Sequence, residues 1–272
     1  MSDAMAFYEP LDHDTFTSTP ATAGPWGPDA QHAGPPSALL ARAIERADGG
    51  GEGWRLARIS VDILGSVPLE PLRIEVRTVR PGRSVALLEA VASVDGRPML
   101  VARGWRHRLG PDSAPATVPP VDEATEPADL PAELVRTEML GMHVDGYVSA
   151  IDWRYQEGHF EQIGPSRAWA RQRIPLVAGE EPSPWQRALV VADSGNGMSF
   201  VADPSRWPAI NSELTVHLFR DPVGEWIHLD ARTHVEPGGG ATATTDLGDV
   251  RGPVGRGAQA LLVRDLRPDA DG

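Results

Sequence analysis

The chain has 272 residues, of which 41% are hydrophobic, and 25 basic against 38 acidic residues give it a formal net charge of −13. Every basic residue is arginine and cysteine is absent, which excludes Schiff-base lysines, Walker-type phosphate loops, disulfides, thiolate nucleophiles and cysteine zinc sites. The acidic balance argues against a nucleic-acid groove or an anionic membrane surface as partner, because both require excess positive charge.

The first half of the chain is predicted to form one helix followed by four strands. Apolar residues recur at helical spacing over 35–47, where Pro35 and Pro36 suit the first turn of a helix. Four strand-like runs, separated by proline and glycine turn signals, follow at 55–64, 72–79, 84–93 and 99–109.

A proline-rich and acidic segment at 110–133 has no apolar period and is predicted to be a solvated linker. It divides the chain into an N-terminal unit at 1–109 and a C-terminal unit at 134–272. The second unit repeats the pattern of the first. A helix-like segment at 184–193 is followed by strand-like runs at 212–220, 225–235, 240–247 and 255–266.

The two units are predicted to be an internal duplication. Pro68 and Pro222 are turn landmarks 154 residues apart, and Pro98 and Pro253 are 155 apart. Each unit is too short to bury a helix well by itself. We therefore expect an α+β fold in which each antiparallel sheet wraps its own helix and the two sheets pair.

Several familiar catalytic and metal-binding motifs are absent from the sequence, among them G-x-S-x-G and H-E-x-x-H. The DSGNG segment at 193–197 is interpreted as a helix end, with Gly195 or Gly197 in the left-handed conformation. His217, His228 and His234 are predicted on neighbouring strands, which leaves a three-histidine metal site as a minor alternative to hydrogen-bonded strand histidines.

Polar residues of the second unit could activate water without a covalent nucleophile. The candidates are the carboxylate of Glu213, the hydroxyl of Thr233 and the amide of Gln259, which interrupts a small and apolar strand. Each also has a structural interpretation. Glu213 could be a solvated edge carboxylate, Thr233 an ordinary strand former and Gln259 a satisfied core amide.

Four stretches of the sequence resemble the TesB-like (type II) acyl-CoA thioesterases, in which two hotdog units are fused in tandem. They are GPWGPDAQHAGPPSALLARAIE at 24–45, ADSGNG at 192–197, INSELTVHLFRDPVGEWIHLDART at 210–233 and RGPVGRGAQALLVR at 251–264. The resemblance covers both halves and leaves the linker and 134–183 weakly matched. It implies a double hotdog, with its two helix-wrapping antiparallel sheets paired into one continuous sheet.

The resemblance also implies an active site made of an acid, a hydroxyl and a glutamine from the C-terminal hotdog. Carried onto this sequence, the acid falls at Glu213, the hydroxyl at Thr233 and the glutamine at Gln259. The family acid is aspartate, so the carboxylate here would lie about one methylene further out. The first repeat has Ile59 and Gly104 at the positions of the acid and the glutamine, so that half is expected to shape the pocket only.

The expected chemistry is attack of water on a thioester carbonyl, with Glu213 polarising or deprotonating the water. Donors for the oxyanion are expected from the turn before the first helix, at His32 and Gly34, where a glycine would let the substrate approach closely. Arg220, Arg251 and Arg256 are candidates for binding the phosphates of coenzyme A.

The leading functional hypothesis is therefore an acyl-CoA thioesterase that acts on a fatty acyl-CoA without a metal or organic cofactor. One alternative is a hydratase or dehydratase of acyl thioesters, for which His32 with Asp29 is the nearest candidate pair. The other is a non-catalytic protein that binds acyl thioesters or lipids. The thioester carrier could be coenzyme A or an acyl carrier protein.

Location and assembly are also expectations at this stage. No run of about 18 apolar residues is present and the first residues do not resemble a secretory signal, so we expect no membrane insertion and a cytoplasmic location. A homodimer or higher homo-oligomer is expected because tandem hotdogs have sheet edges and faces to cover.

Overall fold

The structure is a computed structural model that describes residues 5–47, 53–110, 127–130, 132 and 142–266. Most of the predicted linker at 110–133 lies outside the described residues. The division into units at 1–109 and 134–272 therefore stays a prediction.

The first half contains the predicted helix and four strands, preceded by two short strands. These elements are β1 (Tyr8–Pro10), β2 (Thr15–Ser18), α1 (Gly34–Arg46), β3 (Trp54–Ile63), β4 (Leu72–Arg80), β5 (Val85–Val94) and β6 (Arg97–Arg108). The sequence pattern did not predict β1 and β2, which are too short to show a period.

The second half repeats this order and adds two short elements after its helix. Its elements are β7 (Ile151–Glu157), β8 (Ser166–Gln172), α2 (Pro184–Ala192), α3 (Gly195–Met198), β9 (Ala209–Asn211), β10 (Glu213–Leu218), β11 (Ile227–Val235), β12 (Gly240–Asp249) and β13 (Gly252–Val263). The interpretation of Gly195 and Gly197 as left-handed residues is wrong, because both lie in the short helix α3 and neither has a positive φ.

All the strands form one antiparallel sheet, in the order β1-β2-β4-β5-β6-β3-β10-β13-β12-β11-β8-β7, with β9 on the side of β13. The two halves meet where β3 pairs with β10, from Glu213 opposite Asp62 to His217 opposite Arg58. Reversing the order of one half gives the order of the other. The expected double hotdog with one continuous sheet is confirmed.

The two long helices pack antiparallel, since Gly34 at the start of α1 meets Val190 near the end of α2, and Glu45 near the end of α1 meets Ser183 before α2. Prolines at the first positions of α1 and α2 fit helix starts, and the Ser183 hydroxyl caps α2 by accepting from the Gln186 N–H at 3.2 Å. Buried residues of both helices and both halves of the sheet belong to one hydrophobic core. The hydrophobic core is therefore shared by the two repeats.

The N-terminal strand closes the fold against the second repeat. The N–H groups of Phe7 and Tyr8 donate to the carbonyls of Pro175 and Leu176 at 3.0 Å, and Ala178 N–H donates to the Tyr8 carbonyl at 3.0 Å. The segment after β8 is thereby joined to β1, at the opposite end of the strand order. Among the described helices, none is long and apolar enough to cross a membrane.

Candidate active site

A buried carboxylate lies where the two repeats meet, at the end of α2. Asp193 directly follows the helix and is 4% exposed. Its Oδ1 accepts from Asn211 Nδ2 at 2.7 Å and from Gln259 Nε2 at 3.1 Å. Its Oδ2 lies 3.5 Å from His32 Nδ1, which belongs to the turn before α1. One carboxylate thus gathers side chains from β9, β13 and the first repeat.

Burial raises the pKa of Asp193 to about 7, although hydrogen bonds from Asn211, Gln259 and the Ala33 N–H act in the opposite direction. A carboxyl with this pKa exchanges a proton near neutral pH. That is the property expected of a general base or acid.

His32 is held as a neutral ring beside this carboxylate. Its ring is stacked on Tyr147, with centroids 3.7 Å apart and planes 3° apart, and burial lowers its pKa to about 3. Its Nδ1 accepts the Gly34 N–H at 3.1 Å, so the ring proton is assigned to Nε2. Tyr147 is anchored by its hydroxyl, which donates to the Val190 carbonyl at 2.9 Å.

Both polar atoms of the buried Gln259 amide make hydrogen bonds. Its Oε1 accepts from the Asn196 N–H at 3.1 Å, and its Nε2 also donates to the Asp193 carbonyl at 3.1 Å. The side chain therefore fixes both Asp193 and the start of α3. In this geometry Gln259 positions the carboxylate.

Thr233 lies on the same face of the sheet as Gln259, because Thr233 and Gln259 are both paired with Ala243, one from each side. Two strand spacings put the backbones of Thr233 and Gln259 roughly 10 Å apart. The Thr233 hydroxyl is 2.8 Å from Ser199 Oγ, which donates to the Gly195 carbonyl in α3. Among the described residues, Thr233 is linked to the site through α3.

The structure does not bring Glu213 together with Gln259. Thr215 is paired with Ala258, so these two residues share a face, and Gln259 points to the opposite face. Glu213, two residues before Thr215, lies on the Thr215 face. There it accepts from the Ala260 N–H and the Thr215 hydroxyl, each at 2.8 Å. Glu213 is therefore a half-buried, hydrogen-bonded carboxylate, and the edge-carboxylate interpretation is wrong because β10 lies between β3 and β13 in the middle of the sheet.

Gly34 lies at the site, but for a reason other than the one expected. An added Cβ would be 2.2 Å from the Val190 carbonyl oxygen, so the glycine permits contact between the backbones of α1 and α2. The Gly34 N–H is already bound to His32, and the next two residues, Pro35 and Pro36, have no N–H. The start of α1 therefore supplies few backbone donors for an oxyanion.

Two of the three arginines expected to bind coenzyme A, Arg220 and Arg256, are engaged elsewhere. Arg220 Nη1 and Nη2 donate to the buried carboxylate of Asp249 at 2.5 and 2.6 Å. Asp249 is six residues along β12 from Ala243, or roughly 20 Å. Arg256 pairs with Asp246 at 2.5 Å on the sheet face opposite to Gln259. Neither is brought to Asp193.

The idea that His217, His228 and His234 lie on neighbouring strands is wrong. His217 is on β10, which pairs with β3 and β13, whereas the other two are on β11, which pairs with β8 and β12. Within the described part of the chain, no group of three or more His, Asp or Glu side chains is placed to hold a metal ion.

Sequence reasoning missed the two residues at the centre of the site, Asp193 and Asn211. Asp193 was included in the DSGNG segment, where an acidic residue directly after an apolar helical run was the available signal. Asn211 lies in a three-residue strand whose position depends on long-range pairing with β13. No local pattern could have identified it.

Comparison with known proteins agrees with this architecture. A structure of a candidate thioesterase II from Thermobifida fusca superposes with a TM-score of 0.74 at 17% identity, covering 97% of each chain. A hot dog protein from Alicyclobacillus acidocaldarius gives 0.73 at 14% identity, covering 95% of this chain and 96% of the other. An acyl-CoA thioesterase II from Mycobacterium marinum gives 0.66 at 15%, covering 97% and 96%. At these identities the likeness establishes the double-hotdog fold.

Family models identify the class more closely. The model of the acyl-CoA thioesterase N-terminal domain matches residues 22–107, and that of the acyl-CoA thioesterase C-terminal domain matches residues 112–263. The chain belongs to the acyl-CoA thioesterase family and is a thioester hydrolase. Among curated proteins, none matches the sequence significantly.

Proposed function

We propose that the protein hydrolyses a fatty acyl-CoA to the free acid and coenzyme A, with Asp193 as general base. The observation that carries this proposal is the Asp193 carboxylate, which is buried at the junction of the repeats and held by Asn211 and Gln259. Its pKa of about 7 leaves a large fraction ionised at neutral pH.

The reaction needs one water molecule and no redox partner. Asp193 removes a proton from water as the oxygen attacks the thioester carbonyl carbon, which forms a C–O bond and a tetrahedral oxyanion. The intermediate collapses by breaking the C–S bond. The proton held by Asp193 is then returned to the departing thiolate.

His32 is the proposed donor to the oxyanion. Because its Nδ1 accepts from Gly34, its Nε2–H is available, and its low pKa keeps the ring neutral at working pH. Stacking on Tyr147 fixes the direction of that N–H before substrate binds. This assignment replaces the backbone donors expected at Gly34.

A thiol-release assay tests the proposal, with acyl-CoA substrates from acetyl- to stearoyl-CoA and acyl carrier protein thioesters as a second series. We expect release by the wild type and a loss of about 100-fold or more in Gln259→Ala, because the freed Asp193 carboxylate loses its position. No release of thiol from either series by the folded protein would refute the proposal.

Hydration of an enoyl thioester is a second candidate, favoured by one contact. Such enzymes need a histidine and an aspartate at one site. The structure pairs His32 with Asp193 at 3.5 Å, in place of the Asp29 suggested by the sequence. Incubation with a 2-enoyl-CoA distinguishes the two reactions. Loss of the conjugated double bond with the thioester intact would indicate hydration.

A further inference from the structure

A β-bulge separates β9 from β10, where both strands pair with β13. Thr215 on β10 is opposite Ala258. Asn211 on β9 is opposite Leu261. Asn211 and Thr215 are separated by three residues, whereas their partners on β13 are separated by two. The segment that carries Asn211 therefore contains one extra residue, and bulges of this kind re-aim side chains beside active sites.

The bulge decides which face of the sheet Asn211 occupies. Side chains alternate between the two faces of a strand, so without the extra residue Asn211 would share the face of Thr215. The extra residue moves it to the face of Leu261 and Gln259. There its Nδ2 donates to Asp193 Oδ1 at 2.7 Å. This hydrogen bond to Asp193 therefore depends on the bulge.

The Glu213 carboxylate supplies a hydrogen-bond acceptor at the bulge. The Ser212 N–H donates to the Ala260 carbonyl at 3.0 Å, so the backbone polar groups of Ala260 face the bulged segment. In a regular antiparallel ladder the Ala260 N–H would donate to a backbone carbonyl. Here it donates to Glu213 Oε1 at 2.8 Å, and Glu213 Oε2 accepts from the Thr215 hydroxyl at 2.8 Å. One side chain thus joins β10 to β13 across the bulge.

The first repeat contains the same bulge with different residues. Strand β3 lies 155 residues before 209–218, and its register with β6 shifts between Leu56 and Arg58. These two residues are the counterparts of Asn211 and Glu213. Ile59, the counterpart of Glu213 expected from the sequence, is therefore wrong by one residue. Leu56 is 2% exposed and is held by packing in the hydrophobic core, whereas the polar Asn211 is held by hydrogen bonds.

We propose that Glu213 is a positioning residue, whose carboxylate holds the bulge so that Asn211 keeps its hydrogen bond to Asp193. This role rests on the proposed function, in which Asp193 is the base. It uses the acceptor oxygens of Glu213 and does not require the charge. A glutamine keeps Oε1 as the acceptor for the Ala260 N–H, and its Nε2 can donate to the Thr215 hydroxyl oxygen.

Thiol release by Glu213→Ala and Glu213→Gln tests the proposal. We expect Glu213→Ala to lower kcat about tenfold, because Asn211 is no longer held on the face of Asp193. The hydrogen bond from Asn211 lowers the pKa of Asp193, so its loss should move the inflection of the pH–rate profile upward by about one pH unit. Glu213→Gln should keep the kcat and the inflection of the wild type.

A double-mutant cycle shows whether Glu213 acts through Asn211. In an Asn211→Ala background, Glu213→Ala should lower kcat no further, because the hydrogen bond to Asp193 is already absent. Asp62→Ala is the matched control. Asp62 lies directly opposite Glu213 on β3, so this variant removes the same charge from the same face of the sheet and should leave kcat and the inflection unchanged.

Thr215→Val is the variant to use if Glu213→Ala does not fold. It removes one of the two hydrogen bonds of the Glu213 carboxylate and should shift the inflection in the same direction by a smaller amount.

Three results would overturn the proposal. They are a wild-type kcat and inflection in Glu213→Ala, losses that multiply in the double mutant, and a loss in Glu213→Gln equal to that in Glu213→Ala. The last of these would show that the charge itself is required. Turnover that survives Asp193→Asn would instead refute the proposed function, whatever the Glu213 variants do.

Discussion

At the scale of single residues, the proposed function depends on how burial sets the charge of Asp193. The same burial that gives Asp193 a pKa of about 7 makes its ionised form costly to the fold. Asn211 and Gln259 reduce that cost, since both donate to Oδ1. Burial of this carboxylate therefore lowers the stability of the fold at neutral pH and brings the pKa of the proposed base into the neutral range.

The pH dependence of the reaction follows from this carboxylate. We expect kcat/KM to rise with pH below about 7 and to level off above it, as Asp193 ionises. His32, with a pKa of about 3, stays neutral across this range and adds no second inflection to the rate profile. A rate profile from pH 5 to pH 9 measures this. A profile that is flat through neutral pH would contradict Asp193 as the base.

The stability of the wild-type protein has the opposite dependence on pH, and Asp193→Asn removes that dependence. The pKa of Asp193 is 3.8 in the unfolded chain and about 7 in the folded protein, so between these pH values only the folded state keeps the proton. The free energy of unfolding of the wild type therefore falls as pH rises through this range. At about 1.4 kcal/mol per pKa unit, the free energy of unfolding of Asp193→Asn at pH 8 is expected to exceed that of the wild type by up to roughly 4 kcal/mol. Urea unfolding should show this gain shrinking as pH falls toward 4. A gain that does not depend on pH would contradict the explanation.

Arg220 provides a prediction about stability alone. Burial raises the pKa of Asp249, but Arg220 and the N–H groups of Val223 and Arg251 outweigh it and leave that pKa lowered. Arg220→Ala leaves this buried carboxylate without its cation and is expected to lower the free energy of unfolding by about 3–5 kcal/mol. The KM for acyl-CoA should not change.

Arg256→Ala is the matched control for Arg220→Ala, because its ion pair with Asp246 is exposed and is expected to contribute less than about 1 kcal/mol. Chemical denaturation and steady-state kinetics on both variants measure the two effects. A large rise in KM for Arg220→Ala, without loss of stability, would restore the assignment of Arg220 to coenzyme A binding.

At the scale of elements, the antiparallel contact of α1 and α2 places His32 against Asp193. Gly34 permits this contact, since any side chain there meets the Val190 carbonyl. Gly34→Ala is therefore expected to lower both the melting temperature and kcat. Gly27→Ala, where an added Cβ meets nothing within 4 Å, should leave both unchanged. Thermal melts and thiol release decide this, and wild-type behaviour of Gly34→Ala would contradict the account of the helix contact.

The sequence predicted most of the elements that carry their own periodicity, although it missed the seven-residue strands β7 and β8. Helix α1 and strands β3 to β6 were found within two residues of their predicted ends, because alternation and turn residues mark them locally. Strands β1, β2 and β9 have three or four residues and exist through long-range pairing, so no local signal indicated them.

The candidate site was predictable only in part, for a related reason. Gln259 was identified because an amide inside an apolar strand needs buried partners, but those partners are set by tertiary contacts. Glu213 was chosen without knowledge of the strand register, and the register puts it on the other face. Asp193 becomes a functional candidate only when its burial beside His32 is known.

At the scale of the whole molecule, the two repeats share one sheet and one core. The pairing of β3 with β10, the contact of α1 with α2 and the bonds from β1 to residues 175–178 all cross between them. We therefore expect a single cooperative unfolding transition. Calorimetry together with circular dichroism checks this. Two separated transitions would show that the repeats are energetically independent.

Asp193, and not Glu213, is the carboxylate that we propose activates water. The most direct measurement is thiol release from acyl-CoA by Asp193→Asn beside Glu213→Gln, each of which keeps the size of the side chain and removes its charge. We expect a loss of about 100-fold or more in Asp193→Asn and near wild-type turnover in Glu213→Gln. Full activity in Asp193→Asn, with loss in Glu213→Gln, would contradict it.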